Sequence, residues 1–240
     1  MKAATPTPAP APTPTLRWAG DAAIVIEYGT AIDPELAHLA QAAATALEQS
    51  SLPWLVEAVP TYRSTLAVIR PGAVSPADAV RGIEQAIAVA TAHAAAGRLV
   101  EIPVCYGGDL GPDLADVASH TGLSADEVVS LHSAPDYEVQ MIGFMLGFPY
   151  LAGMDPRLAT PRLTTPRTAI PQGSVGIAGP QTGVYPLASP GGWRIIGRTP
   201  LRLADPGSDP PCLLRAGDTV RFVPICESEF QHLSSGGDAR

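Results

Sequence analysis

His132 stands just before Ser133-Ala134-Pro135, at the end of a helix-like run over residues 124–131. An imidazole there can point out of its scaffold and serve as a general base or hydrogen-bond donor near neutral pH. The plainer reading is a structural histidine. Arg167 and Arg198 each sit among uncharged turn formers, in Thr165-Pro166-Arg167-Thr168 and Gly197-Arg198-Thr199-Pro200. Arginines on rigid loops make bidentate clamps for carboxylate or phosphate. Gly179-Pro180-Gln181-Thr182-Gly183-Val184-Tyr185 brings an amide, a hydroxyl and a phenol together on a glycine-bounded turn. Gln181, Thr182 and Tyr185 thus offer donors and acceptors without net charge. Phe144-Met145-Leu146-Gly147-Phe148-Pro149-Tyr150 is an aromatic loop. Phe144 and Phe148 could wall a ligand pocket or a subunit contact, or simply fill a hydrophobic corner.

Charge is segregated around these residues. Nine acids and no Arg or Lys lie between Glu101 and Asp155, whereas six arginines and no acid lie between Pro156 and Ala204. Two readings stand: oppositely charged faces that pair within the fold or are merely solvated, or an anion-binding lobe. The only lysine is Lys2, which excludes a lysine Schiff base and a P-loop lysine. The five histidines show no metal-ligand spacing with Cys or carboxylate partners, so no metal is expected. LADVASHTGLSADEVVSLH has helix-turn-helix spacing, but residues 109–127 carry five acids and no base, the wrong sign for DNA. A net charge of −8 argues the same for nucleic acid in general and for anionic membrane surfaces.

The elements that must position these residues fall into two halves. Residues 1–14, with proline at every second position from 6 to 14, read as a disordered leader, and residues 231–240 as a frayed tail. Over residues 15–100 the order is β-α-β-β-α-β, that of a ferredoxin-like α/β sandwich. Its helices start at Asp33-Pro34 and Ser75-Pro76, its closing strand covers residues 99–104, and Gly97 suits a C-cap of the second helix. Residues 101–230 hold two short helices, 112–119 and 124–131, then short strands divided by Gly and Pro, as in a closed β-structure. Proposed strands cover 138–144, 175–177, 184–187, 194–198 and 219–223. The class is α+β. Three cysteines, an odd number with no C-x-x-C, fit a reducing compartment. With no secretory signal and no apolar run long enough for a bilayer, a cytoplasmic location is expected.

The run Val100-Glu101-Ile102-Pro103-Val104-Cys105-Tyr106-Gly107-Gly108, then Gly111-Pro112-Asp113-Leu114, Leu131-His132, Met141-Ile142-Gly143-Phe144 and Gly147-Phe148-Pro149-Tyr150-Leu151 resembles the family of bacterial 5-oxoprolinase B subunits. That family is also labelled KipI-type kinase inhibitor or allophanate hydrolase subunit 1. The resemblance continues through Thr165-Pro166-Arg167, Gly173-Ser174-Val175-Gly176, Gln181-Thr182-Gly183-Val184-Tyr185-Pro186, Gly191-Gly192-Trp193 and Ile196-Gly197-Arg198-Thr199-Pro200. It implies a cyclophilin-like β-barrel behind the small α/β domain. It also implies one part of a 5-oxoprolinase that hydrolyses 5-oxo-L-proline to L-glutamate with ATP, in partnership with A and C subunits. Without a P-loop lysine, any ATP site would be shared with those partners. On this reading Arg167 and Arg198 clamp anionic groups. Gln181, Thr182, Tyr185 and Thr199 orient the lactam beside Phe144 and Phe148, and His132 assists proton transfer. The runner-up is a regulatory protein that inhibits a sensor histidine kinase.

Overall fold

The computed structural model describes residues 12–31, 33–88 and 97–236. Residues 1–11 of the Pro-rich leader and His93 lie outside them. The chain divides into two compact units, Met1–His93 and Ala94–Arg240.

In the first unit, β1 (Thr15–Trp18), β2 (Ala23–Glu27), β3 (Leu55–Pro60) and β4 (Ser64–Ile69) form an antiparallel sheet in the order β1-β2-β4-β3. Two helices, α1 (Pro34–Glu48) and α2 (Pro76–Ile87), pack against it. Both begin as their sequences require. Asp33 accepts from the Glu35 N–H at 2.8 Å, Ser75 accepts from the Asp78 N–H at 3.2 Å, and each is followed by proline. Ile24 and Ile26 of β2, Leu47 of α1 and Ile83 of α2 meet in one core. Alternation along β2 and β4 sends every second residue there.

Two expectations for this region need correcting. The segment read as the sandwich's closing strand, β5 (Leu99–Tyr106), belongs to the second unit, and β1 supplies the first sheet's fourth strand. Periodicity marks β5 as a strand but carries no information on its partner. Gly97 is not the C-cap of α2, which ends at Ile87 with Ala88 in that position. The Gly97 backbone instead lies against the Gly217 carbonyl so closely that a Cβ would collide with it.

The second unit is a closed barrel. After β5 come α3 (Leu114–Thr121), α4 (Ala125–Ser133), β6 (Asp136–Ile142), β7 (Pro149–Ala152), β8 (Arg167–Ile170), β9 (Ser174–Ala178) and β10 (Gln181–Val184). They are followed by β11 (Ser189–Gly191), β12 (Arg194–Arg198), β13 (Thr219–Pro224) and α5 (Glu227–Ser235). The barrel order is β10-β7-β6-β13-β5-β12-β9, and β8 and β11 form a separate pair. Closure removes both sheet edges. Residues 231–235, read as frayed, extend α5, anchored by buried Phe230. The strand expected at 184–187 lies earlier, at Gln181–Val184: the polar Gln181-Thr182 pair is in the ladder, not in the turn before it.

The start of β5 is fixed by charge. The carboxylate of Asp218, fully buried, accepts from the Arg98 N–H at 3.1 Å, Arg98 Nη2 at 2.6 Å and the Arg215 N–H at 3.1 Å. Among the described residues no helix is long and apolar enough to cross a membrane.

Candidate functional site

Half of the arginine-rich segment, three of its six arginines, is paired with the acidic one. Arg157 meets Asp155 at 2.6 Å, Arg194 meets Asp116 at 2.8 Å, and Arg167 meets Asp113 through both terminal nitrogens at 2.8 Å. Asp113 precedes α3, is buried, and also accepts from the Ile195 N–H at 2.7 Å. The fork of Arg167 expected to grip an external anion is therefore held by Asp113, because the turn before β8 delivers it onto the head of α3. Asp113 escaped notice in the sequence, although an acid just ahead of an apolar helix and opposite an arginine-rich segment was a readable signal.

His132 and Thr182 are brought together, but inside the barrel. Both are fully buried. His132 Nε2 lies 2.8 Å from Thr182 Oγ1, and Nδ1 lies 2.8 Å from the Tyr106 hydroxyl. Thr182 donates its single proton to the Gly176 carbonyl at 3.1 Å. It must then accept from Nε2–H, which leaves Nδ1 to accept from Tyr106. The result is a one-way chain from Tyr106 through His132 and Thr182 to Gly176. Burial pushes the imidazole down to about 3, so it stays neutral. Burial, and then the neighbouring Tyr137, hold the Tyr106 phenol well above its ordinary value. The ring of His132 also stacks on Phe222 at 4.7 Å, and its carbonyl accepts from the Tyr137 hydroxyl at 2.8 Å.

An outward-pointing general base at His132 is thus corrected to a sealed structural relay. The reason is helical spacing: Val128 and His132, one turn apart, form the buried face of α4. Tyr106, the relay's first member, was not singled out. Its place at the end of β5, before Gly107-Gly108, was the available hint.

Phe148 and Tyr185 lie in a separate aromatic cluster with Trp193, Ile170 and Ile195. Their rings meet edge to face at 5.5 Å, and Phe144 rests on Phe148 at 5.6 Å. Phe144 is 68% exposed and adopts a positive φ of 65°, so it caps the cluster at the tip of the β6–β7 hairpin. Burial raises the Tyr185 phenol to about 12, against the pull of the Trp193 amide and the Arg162 charge. Tyr185 is therefore a protonated donor. Gln181 is half-buried at the start of β10.

Arg198 ends β12 and Thr199 follows it, and both bond to the turn before β9. Arg198 Nε donates to the Gln172 carbonyl at 2.7 Å, and the Thr199 N–H donates to the Gly173 carbonyl at 2.9 Å. The Gly173 N–H donates to the Tyr185 carbonyl at 2.7 Å. One turn thus ties Arg198, Thr199 and the Tyr185 backbone together. Gly173 has φ 82°, and a Cβ there would collide with the Thr199 carbonyl. Among the described residues Arg162, Arg198 and Arg202 make no ion pair, and of these only Arg198 is half-buried. It is a partly desolvated guanidinium, fixed through Nε, with its terminal nitrogens uncommitted. Such a group suits a carboxylate or phosphate oxygen. No group of three or more potential metal ligands occurs among the described residues.

Known proteins share this sequence and fold. Residues 14–214 match the family model "Carboxyltransferase domain, subdomain C and D". The chain is 45% identical to a Bacillus subtilis protein named as the B subunit of 5-oxoprolinase, over 88% of this chain and 92% of that one. It is 46% identical to an Escherichia coli protein of the same name, over 85% and 93%. Among solved structures, TTHA0988 is 38% identical with a TM-score of 0.76; the match covers 88% of this chain and 40% of that longer one. This chain belongs to the carboxyltransferase-domain family, subdomains C and D, and within it to the group of the 5-oxoprolinase B subunits.

Proposed function

We propose that this chain is the B subunit of an ATP-dependent 5-oxoprolinase that converts 5-oxo-L-proline to L-glutamate, acting with an A and a C subunit. The observation that carries the proposal is the 45% and 46% identity to proteins named as 5-oxoprolinase B subunits, sustained over 92% and 93% of their lengths. The chemistry agrees with the side chains available. A lactam is a poor electrophile, and transfer of a phosphoryl group to its oxygen would make it a good one. The substrate carboxylate, the phosphates and the developing oxyanion are all negative, so preorganised cations and neutral donors favour the reaction.

Arg198 is the cation this chain offers, with Thr199 beside it. Gln181, half-buried, is the neutral donor and Phe144 the exposed apolar face, while Tyr185 and Phe148 are buried in the aromatic cluster on which Phe144 rests. With no lysine among its described residues, the chain contributes to an ATP site rather than forming one alone. Arg167 and His132 support the scaffold.

The test is reconstitution with candidate A and C subunits, measuring glutamate released from 5-oxoproline with ATP. Activity should require all three chains. Arg198→Ala should lower turnover by about a hundredfold or more, the effect of losing one oxyanion-type donor. Full activity without this chain would overturn the assignment, and wild-type rates in R198A would overturn the role of Arg198.

A further inference from the structure

We propose that Cys226 and Cys105 form a peroxide-responsive thiol pair, in which Cys226 is oxidised first and Cys105 closes a reversible disulfide that staples α5 to β5. The pair is independent of the 5-oxoprolinase reading. Strand register brings the two residues together. β5 and β13 run parallel with Val104 opposite Pro224, and the Ile225 N–H donates to the Val104 carbonyl at 2.9 Å. Cys105 follows the first of these residues and Cys226 follows Ile225, so the ladder delivers both to the same end of the barrel.

Their surroundings differ in the way a two-step reaction needs. Cys226 is exposed, caps α5, and lies 3.0 Å from the Ser228 hydroxyl. That hydroxyl and the Glu229 N–H bring the thiol below its ordinary value, against the charge of Glu229. Cys105 is only 7% exposed. Burial, and then Glu227 and Cys226, raise its thiol. An exposed, activated thiol attacks, and a buried, protonated neighbour resolves. Cys212 has neither feature: it is half-buried and its thiol is raised by burial.

The chemistry balances with a hydroperoxide as oxidant. The Cys226 thiolate attacks one peroxide oxygen. The O–O bond breaks, an S–O bond forms, and the other oxygen leaves as hydroxide or alkoxide. The Cys105 sulfur then displaces the sulfenic oxygen, which leaves as water with the Cys105 proton. Two thiols have lost two electrons, and the peroxide has gained them.

The experiment treats the reduced full chain with hydrogen peroxide and follows free thiols, intact mass and linked peptides. Two of the three thiols should disappear, the mass should fall by two hydrogens, and one peptide pair should join Cys105 to Cys226, all reversed by dithiothreitol. Cys226→Ser, an exposed change, should leave Cys105 unoxidised. Cys105→Ala should halt at a Cys226 sulfenic acid captured by dimedone. A wild-type protein that retains all three thiols, that gains oxygen at Cys226 without bridging, or that bridges through Cys212 overturns the proposal.

Discussion

Asp113 holds Arg167 across 54 residues of sequence, with one carboxylate oxygen on each terminal guanidinium nitrogen at 2.8 Å. The same carboxylate takes the Ile195 N–H, so one buried group joins the head of α3, the start of β8 and strand β12. Of these elements, β8 and β12 supply Ile170 and Ile195 to the aromatic cluster of Phe148, Tyr185 and Trp193. The separation of charges along the chain is thus a device of assembly: an acidic segment is laid against a basic one.

Breaking that pair from either side should be costly. Asp113→Ala strands a guanidinium and an N–H together and should lower stability by about 3 kcal/mol. Arg167→Met leaves the buried Asp113 carboxylate with the Ile195 N–H in place of its countercharge, so it should cost at least as much, about 3 kcal/mol. Urea denaturation of both single variants and the double variant measures this. A double variant no worse than D113A supports a closed pair, whereas additive losses would mean the two act separately.

His132 predicts a pH dependence. Its folded value, about 3, lies below the ordinary 6.5 because burial disfavours the cation. The unfolded chain therefore takes up a proton that the folded chain refuses. The contribution is fully present above pH 6.5 and is lost as pH falls toward 3, at a slope approaching about 1.4 kcal/mol per unit. Stability measured at intervals from pH 7 to 4 should decline accordingly, and the decline should be reduced in His132→Phe. Nitrogen NMR should find Nε2 protonated and Nδ1 bare throughout. An imidazole titrating near 6.5 in the folded protein would contradict the relay.

Gly173 and Gly179 both have positive φ, 82° and 57°, but only the first has a neighbour in the way. Gly179→Ala pays the left-handed backbone alone, about 1 kcal/mol. Gly173→Ala adds the collision with the Thr199 carbonyl and should cost at least about 2 kcal/mol. Because Gly173 bonds Thr199 and Tyr185, it should also depress activity in the reconstituted complex beyond what its stability loss explains. Equal thermal shifts in the two variants would refute the difference.

Local signals were legible where they depend on near neighbours. Asp33-Pro34, Ser75-Pro76 and the Ser124–Glu127 capping box start helices as read, and the Gly-rich second half closes into a barrel. What the sequence hid depends on pairing across distance. β5 alternates as any strand does, and nothing local chooses β12 and β13 as its partners. Arg167 and Arg198 look alike in sequence, each in a turn with Thr and Pro, and only the fold gives Asp113 to one and none to the other. For His132 the capped helix drew attention to its end, while the spacing from Val128 already gave its direction.

Asp218 should govern acid stability in a lower pH window than His132. Burial by itself would raise its carboxyl, but the bonds from the Arg98 side chain and from the Arg215 and Arg98 amides outweigh it, and the group ends below its ordinary range. Its folded value lies below its unfolded one. The stabilisation is therefore present above the unfolded value, near pH ~3.9, and is lost as pH falls through the folded value. Asp218→Asn should cost about 3 kcal/mol at pH 7, where the Arg98 cation loses its partner at the mouth of β5. The gap between variant and wild type should hold from pH 7 to 5 and narrow below about 4, as the wild-type carboxyl takes its proton. Urea midpoints at pH 7, 5 and 3 decide it. A gap that persists undiminished at pH 3 would mean that Asp218 acts by shape and not by charge.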